Sequence, residues 1–238
     1  MGVVREAANR RVDLRKRIQV MGTMIDGILY FDIETKKLAH EVGGWENIAG
    51  MGISVATSYD SGTGEFNSFE ESEISGLVEQ ILGAGLVVGY NQLRFDYRVL
   101  SAYSNADFWA LPNFDMLAAV KATLGHRLKL DHIVKATLRT KKTGDGTQAV
   151  QWFRNGEIER VIEYCMNDTK VTRELFAHGC KKGYMDYYDT QHAHWPTVRI
   201  DTRHWRETVE YLASSAKGVE SEPIVGTMRY LEVVRVGV

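Results

Sequence analysis

Residues 28–35 read ILYFDIET. Ile28, Leu29, Tyr30, Phe31 and Ile33 are β-branched, aromatic or apolar, the composition of a strand headed for the interior. Asp32 and Glu34 interrupt it. On a strand, residues two apart share a face, so both carboxylates project together, about 6–7 Å apart at ~3.3 Å per residue. Two like charges beside an apolar strand repel each other and lose hydration. That costs several kcal/mol unless they are paired with a cation or take up a proton. A divalent ion is the simplest stabiliser, because carboxylate oxygens are hard ligands. A strand end in open water would also accommodate the pair, and the stretch alone leaves both readings open.

Outward from this strand the pattern is mixed. Residues 48–60, IAGMGISVATSYD, read as a second strand, SGTG at 61–64 as a turn, and EFNSF at 65–69 as a third strand completing a meander. Ile74, Leu77, Val78, Ile81 and Leu82 follow helical spacing. LVVGY at 86–90, bounded by glycines, suits a buried parallel strand. Helical patterns recur at 94–104, 114–125 and 130–139. TKKTGDGTQ at 140–148 reads as polar loop, AVQWF at 149–153 as a short helical piece, and 157–179 as the longest periodic helix. YMDYYD and TVRID give one or two weak strands, followed by a tail. A strand meander followed by alternating helices and strands implies an α/β protein with a mixed sheet.

The chain has 238 residues, 44% hydrophobic and 25% charged, which is ordinary for a globular protein with a real core. Three prolines and no long Gly/Ser tract argue against an internal linker. Two cysteines outside any CxxC pattern fit a reduced, cytoplasmic compartment. No apolar run approaches the roughly 20 residues that span a bilayer, and the basic N-terminus lacks the apolar segment of a secretion signal. Net charge is −2, so the strongly basic balance of many nucleic-acid binders is absent, although an acidic metal site would itself subtract several charges. Arg10, Arg11, Arg15, Lys16 and Arg17 form one local basic cluster; Arg139, Lys141 and Lys142 form another. Residues 1–22 read as a basic, loosely ordered extension, 23–190 as the main domain, and 191–238 as a segment without assignment.

Two further acids stand out. On the long helix, Ile158, Val161, Ile162, Cys165, Leu175 and Phe176 gather on one side, and Asp168 falls within that apolar arc. Tyr164, one turn earlier, flanks it. An acid on a buried stripe needs an arginine, a helix N-terminus or a metal. Asp96 follows the glycine-bounded strand at the start of a helix, near the carboxyl end of a strand where ligand groups collect in open α/β sheets. A plain helix-start aspartate would read the same way. HAH at 192–194, beside Pro196, reads as exposed loop, and neither GTGEF nor TGDGT has the Gly-Lys-Ser/Thr ending of a phosphate loop.

In order along the chain, FDIET carries Asp-x-Glu, YNQLRFD an Asn followed by an aromatic–Asp pair, and YCMND completes Tyr-x-x-x-Asp. Together they resemble the three exonuclease motifs of the DEDD superfamily in its tyrosine-containing branch. The nearest likeness is to the 3′–5′ proofreading domain of family B DNA polymerases and its stand-alone bacterial relatives, with ribonuclease D a more distant cousin. The resemblance covers roughly residues 28–180. It implies a ribonuclease H-like α/β fold, a mixed five-stranded sheet flanked by helices. It also implies a metal-dependent 3′–5′ exonuclease acting on single-stranded ends, DNA favoured over RNA. By position, Asp32, Glu34, Asp96 and Asp168 match the metal-binding acids and Tyr164 the residue that orients the attacking water. Thr35, Asn91 and Phe95 become candidates for holding the terminal nucleotide. The implied cofactors are two divalent cations, Mg²⁺ or Mn²⁺. Such a pair can clamp the entering and leaving oxygens of an in-line phosphoryl displacement. The implied partners are a single-stranded 3′ end and a polymerase or helicase on a separate chain. The competing expectation is a non-catalytic module of the same fold within a replication or repair assembly.

Overall fold

The computed structural model describes residues 18–20, 23–25, 27–140, 146–190, 194, 196–219 and 222–236. The N-terminal basic cluster, Lys141, Lys142 and His192 lie outside the described residues. Part of the expected extension is a strand: β1 (Ile18–Val20) pairs antiparallel with β2 (Thr23–Ile25).

The main sheet starts at β3 (Ile28–Thr35). The strand expected over 48–60 begins only at Ile53: residues Trp45–Met51 coil into 3₁₀ turns, and Gly52, at φ +66°, swings the chain into β4 (Ile53–Asp60). β5 (Glu65–Glu70) follows, then α1 (Ile74–Leu82) and β6 (Leu86–Gly89). The helical stretch anticipated at 94–104 is shorter, α2 (Asp96–Leu100). The helix anticipated at 114–125 is preceded by a strand instead: β7 (Asn113–Asp115) runs directly into α3 (Met116–Leu124). The boundary lies there because Asp115 accepts hydrogen bonds from the Leu117 and Ala118 N–H groups, an N-cap that holds residue 115 extended.

Five strands form one sheet in the order β5-β4-β3-β6-β7, antiparallel across β5, β4 and β3 and parallel across β3, β6 and β7. β3 is central, which explains its near-continuous apolar run. Its odd and even positions serve two cores. Leu29, Phe31 and Ile33 pack with Ile74, Leu77 and Ile81 of α1, and Ile28 and Tyr30 face the other side, with Phe114, Phe176 and Trp205. Asp32 and Glu34 share the parity of Ile28 and Tyr30 and so face the second side.

That side is covered by α4 (Leu130–Thr137), α5 (Gly146–Arg154) and the long α6 (Ile158–Lys182). The hairpin of β8 (Tyr184–Tyr188) and β9 (Thr197–Asp201) follows. Beyond it the sequence suggests only a tail, but the chain forms α7 (Trp205–Ser215) and α8 (Val225–Arg235). Trp205 and Tyr230 from these helices are buried against Phe114 at ring-centroid distances of 5.1 and 5.3 Å. Among the described residues no helix is long and apolar enough to cross a membrane.

Candidate active site

β3 is longer than its parallel neighbour. β6 pairs with it only at Ile28, Leu29 and Tyr30, so residues 31–35 run on past the carboxyl end of β6. The gap is filled from the start of α2, where the Asp96 carboxyl accepts a hydrogen bond from the Ile33 N–H. On the opposite edge the β3–β4 register slips between Glu34 and Thr35, an irregularity that re-aims side chains at the strand end.

α6 crosses the face that carries Asp32 and Glu34. Val161 and Cys165 pack on Val55, and Thr169 meets Thr57 at 2.7 Å between hydroxyl oxygens. The Cys165 thiol donates to the Asp32 carbonyl at 3.3 Å. This seating brings one carboxylate oxygen each from Asp32, Glu34 and Asp168 within 4.8 Å of one another. Glu34 and Asp168 are buried and Asp32 is partly buried. Tyr164 is hydrogen-bonded to Asp168, one helical turn on, and its ring stands edge-on to Trp152 at 5.8 Å. Burial, and then the charges of Asp168, Glu34 and Asp32, push the Tyr164 phenol far above its ordinary pKa, so it holds its proton.

Asp96 is not part of the three-carboxylate cluster, but it lines the same cavity. That cavity measures about 580 Å³, and Asp32, Glu34, Thr35, Asn91, Phe95, Asp96, Tyr164 and Asp168 all contribute to its wall. Every sequence-derived candidate therefore faces one space. The wall also includes Leu38, His40 and Trp45 from the turns after β3, and Gly146 and Thr147 at the start of α5. No pattern in the sequence singles out Leu38, His40 or Trp45. Burial raises the Asp96 carboxyl above the usual carboxylate range, and the nearby Asp115 adds to that effect.

Asp115 is a further residue that supports the site. It is fully buried and accepts backbone hydrogen bonds from Asn91 (2.9 Å) and Leu93 (3.2 Å) as well as capping α3. It thereby fixes the loop in which Asn91 adopts φ +78°. Its sequence signal, an Asp before an apolar helical run, merges with the helix expected over 114–125. The cluster fits a hard divalent ion: three oxygen donors converge, and a cation there would offset their mutual repulsion.

Comparison with known proteins bears on the fold. The family B DNA polymerase of Pyrobaculum calidifontis superposes with a TM-score of 0.54 at 15% identity, over 87% of this chain. The chain spans 29% of that polymerase's length. Trypanosoma brucei RNase D gives a TM-score of 0.48 at 12% identity, over 87% of this chain and 74% of that one. No curated protein sequence matches. A family model described as RNase_H superfamily matches residues 29–179, from the central strand through most of α6. The mixed sheet, its order and that match agree: the chain belongs to the RNase_H superfamily.

Proposed function

We propose that the protein is a metal-dependent 3′–5′ exonuclease that removes nucleotides from the end of single-stranded nucleic acid, DNA in preference to RNA. The observation that carries this reading is the convergence of Asp32, Glu34 and Asp168 beside Tyr164 in a cavity that Asp96 also lines. Asp32, Glu34, Asp96 and Asp168 would hold two Mg²⁺ or Mn²⁺ ions. Bound there, such ions lower the pKa of an attacking water and stabilise the departing oxygen. The protein's own contribution is positioning. Tyr164 orients the attacking water through its hydroxyl. Thr35, Asn91 and Phe95 hold the terminal nucleotide. In the reaction, water oxygen bonds to phosphorus and the bond to the penultimate 3′ oxygen breaks. The products are a nucleoside 5′-monophosphate and a new 3′ hydroxyl.

The resemblance to polymerase-linked domains extends the reading to a polymerase or helicase partner on another chain. A non-catalytic module would have no need for converging carboxylates, and no observation favours it. The test is incubation of 5′-labelled DNA and RNA oligomers with Mg²⁺ or Mn²⁺. A ladder shortening from the 3′ end is expected, faster on DNA. Intact oligomers under both ions, with folded protein, overturn the proposal.

A further inference from the structure

A second cavity of about 290 Å³ adjoins the first, and Trp45, Asn91 and Phe95 line both. Its remaining wall is basic: Arg94, Arg98 and Arg127 contribute, against a single acid, Glu46. Arg98 is tied to the Glu46 carbonyl at 2.9 Å and Arg127 to the Asn91 side-chain oxygen at 2.7 Å. Arg94 and Arg127 stay exposed, and Arg94 is close enough to repel Arg127. Trp45 is 64% exposed and stands edge-on to Phe95 at 6.4 Å, on the divide between the two cavities. An indole this exposed gains little from burial, so folding does not account for its position.

We infer that this second cavity is a track for the strand behind the reacting end, in which a base stacks on the exposed Trp45 indole and meets Phe95 edge-on while Arg94 and Arg127 receive the backbone phosphates of the next nucleotides. The assignment deepens the proposed function and rests on it. Aromatic faces accept any base, and guanidinium groups match phosphate oxygens in pairs. A track of this composition is indifferent to sequence and requires unpaired bases. It therefore selects single strands. The shared wall gives the route: Asn91 faces the reacting end on one side and, through its bond to Arg127, the basic cavity on the other.

The probe is a 5′-fluorescein-labelled ten-residue oligothymidylate with terminal phosphorothioate linkages, followed by fluorescence anisotropy in Mg²⁺ across a salt series. Trp45→Ala should weaken binding about tenfold with an unchanged salt slope, since stacking is lost and charge is not. Arg94→Gln and Arg127→Gln should each flatten the slope of log K against log salt by about 0.7, one phosphate contact on a single strand. Trp45 and Arg94 are exposed, so these variants fold, and melting curves check that. Binding and slope unchanged in all three variants overturn the track. Cutting of an unmodified oligomer by the wild type is scored separately. If binding follows the expected pattern but nothing is cut, the reaction is wrong and the track stands.

Discussion

A buried carboxylate can be stabilised by N–H donors or by a cation, and the two arrangements occur side by side around this cavity. Asp115 has the first, with four backbone N–H groups converging on its two oxygens. Asp32, Glu34 and Asp168 instead crowd one another. Asp32→Asn or Asp168→Asn should therefore abolish cutting yet leave the metal-free protein equally or slightly more stable, because a repulsion is removed. Melting in Mn²⁺ reads the same site. At 100 times its dissociation constant a bound ion adds about 2.7 kcal/mol to the wild type, and the gain should vanish in either variant. Tyr164→Phe should keep the fold and lower kcat about 10²-fold, the lower end of what removing one preorganised hydrogen-bonding group costs. Asp115 contributes a pH dependence to stability. Burial raises its carboxyl even against those N–H donors, so its stabilising contribution is full below the ordinary carboxylate pKa and is lost as pH rises through the elevated value. The stability advantage of wild type over Asp115→Asn should therefore shrink as pH rises above the ordinary carboxylate range, measured by melting in a chelator. A constant or growing advantage would refute the assignment.

Legibility in the sequence followed the elements. β3 and α6 were readable, because one is a long apolar run and the other a long periodic helix, and each carries its acids against its own pattern. Their convergence was legible only through motif order, since Asp32 and Asp168 are far apart in sequence. β7 was not legible: three residues carry no period, and an N-cap aspartate merges with the helix it starts. Nor were Trp45, Arg94 and Arg127, which meet only when the loops fold over the sheet. α6 also conceals a constraint. Gly179 lies on its buried face, and a Cβ there would approach the Trp205 ring at 2.9 Å. Helix propensity alone favours Gly179→Ala by about 1 kcal/mol. The buried indole cannot swing away, so overpacking should win and the variant should lose stability by about 1–3 kcal/mol. A rise in Tm would show that α6 and α7 are packed less closely.

At the scale of the whole molecule, the C-terminal helices are structural members of the domain that bears the site. α8 reaches the sheet through Tyr230, which is almost fully buried, stacks on Phe114, accepts from the Asp115 N–H at 3.0 Å and donates to the Asn113 carbonyl at 2.9 Å. The same Asp115 holds Asn91 through its carboxylate. A continuous path of contacts thus runs from the C-terminal helix, through the end of β7, to the loop lining both cavities. Tyr230→Phe keeps the ring but strips a buried N–H of its acceptor, at a cost of about 1–3 kcal/mol. Tyr230→Ala also opens a cavity, for a total of about 3–5 kcal/mol, which lowers Tm by on the order of 10 °C in a chain of this size. Because Tyr230 and Asp115 act on the same three-residue strand, the double variant Tyr230→Phe with Asp115→Asn should lose less than the sum of the single variants. Additive losses in thermal melts would mean that α8 supports the sheet without touching the support of the site.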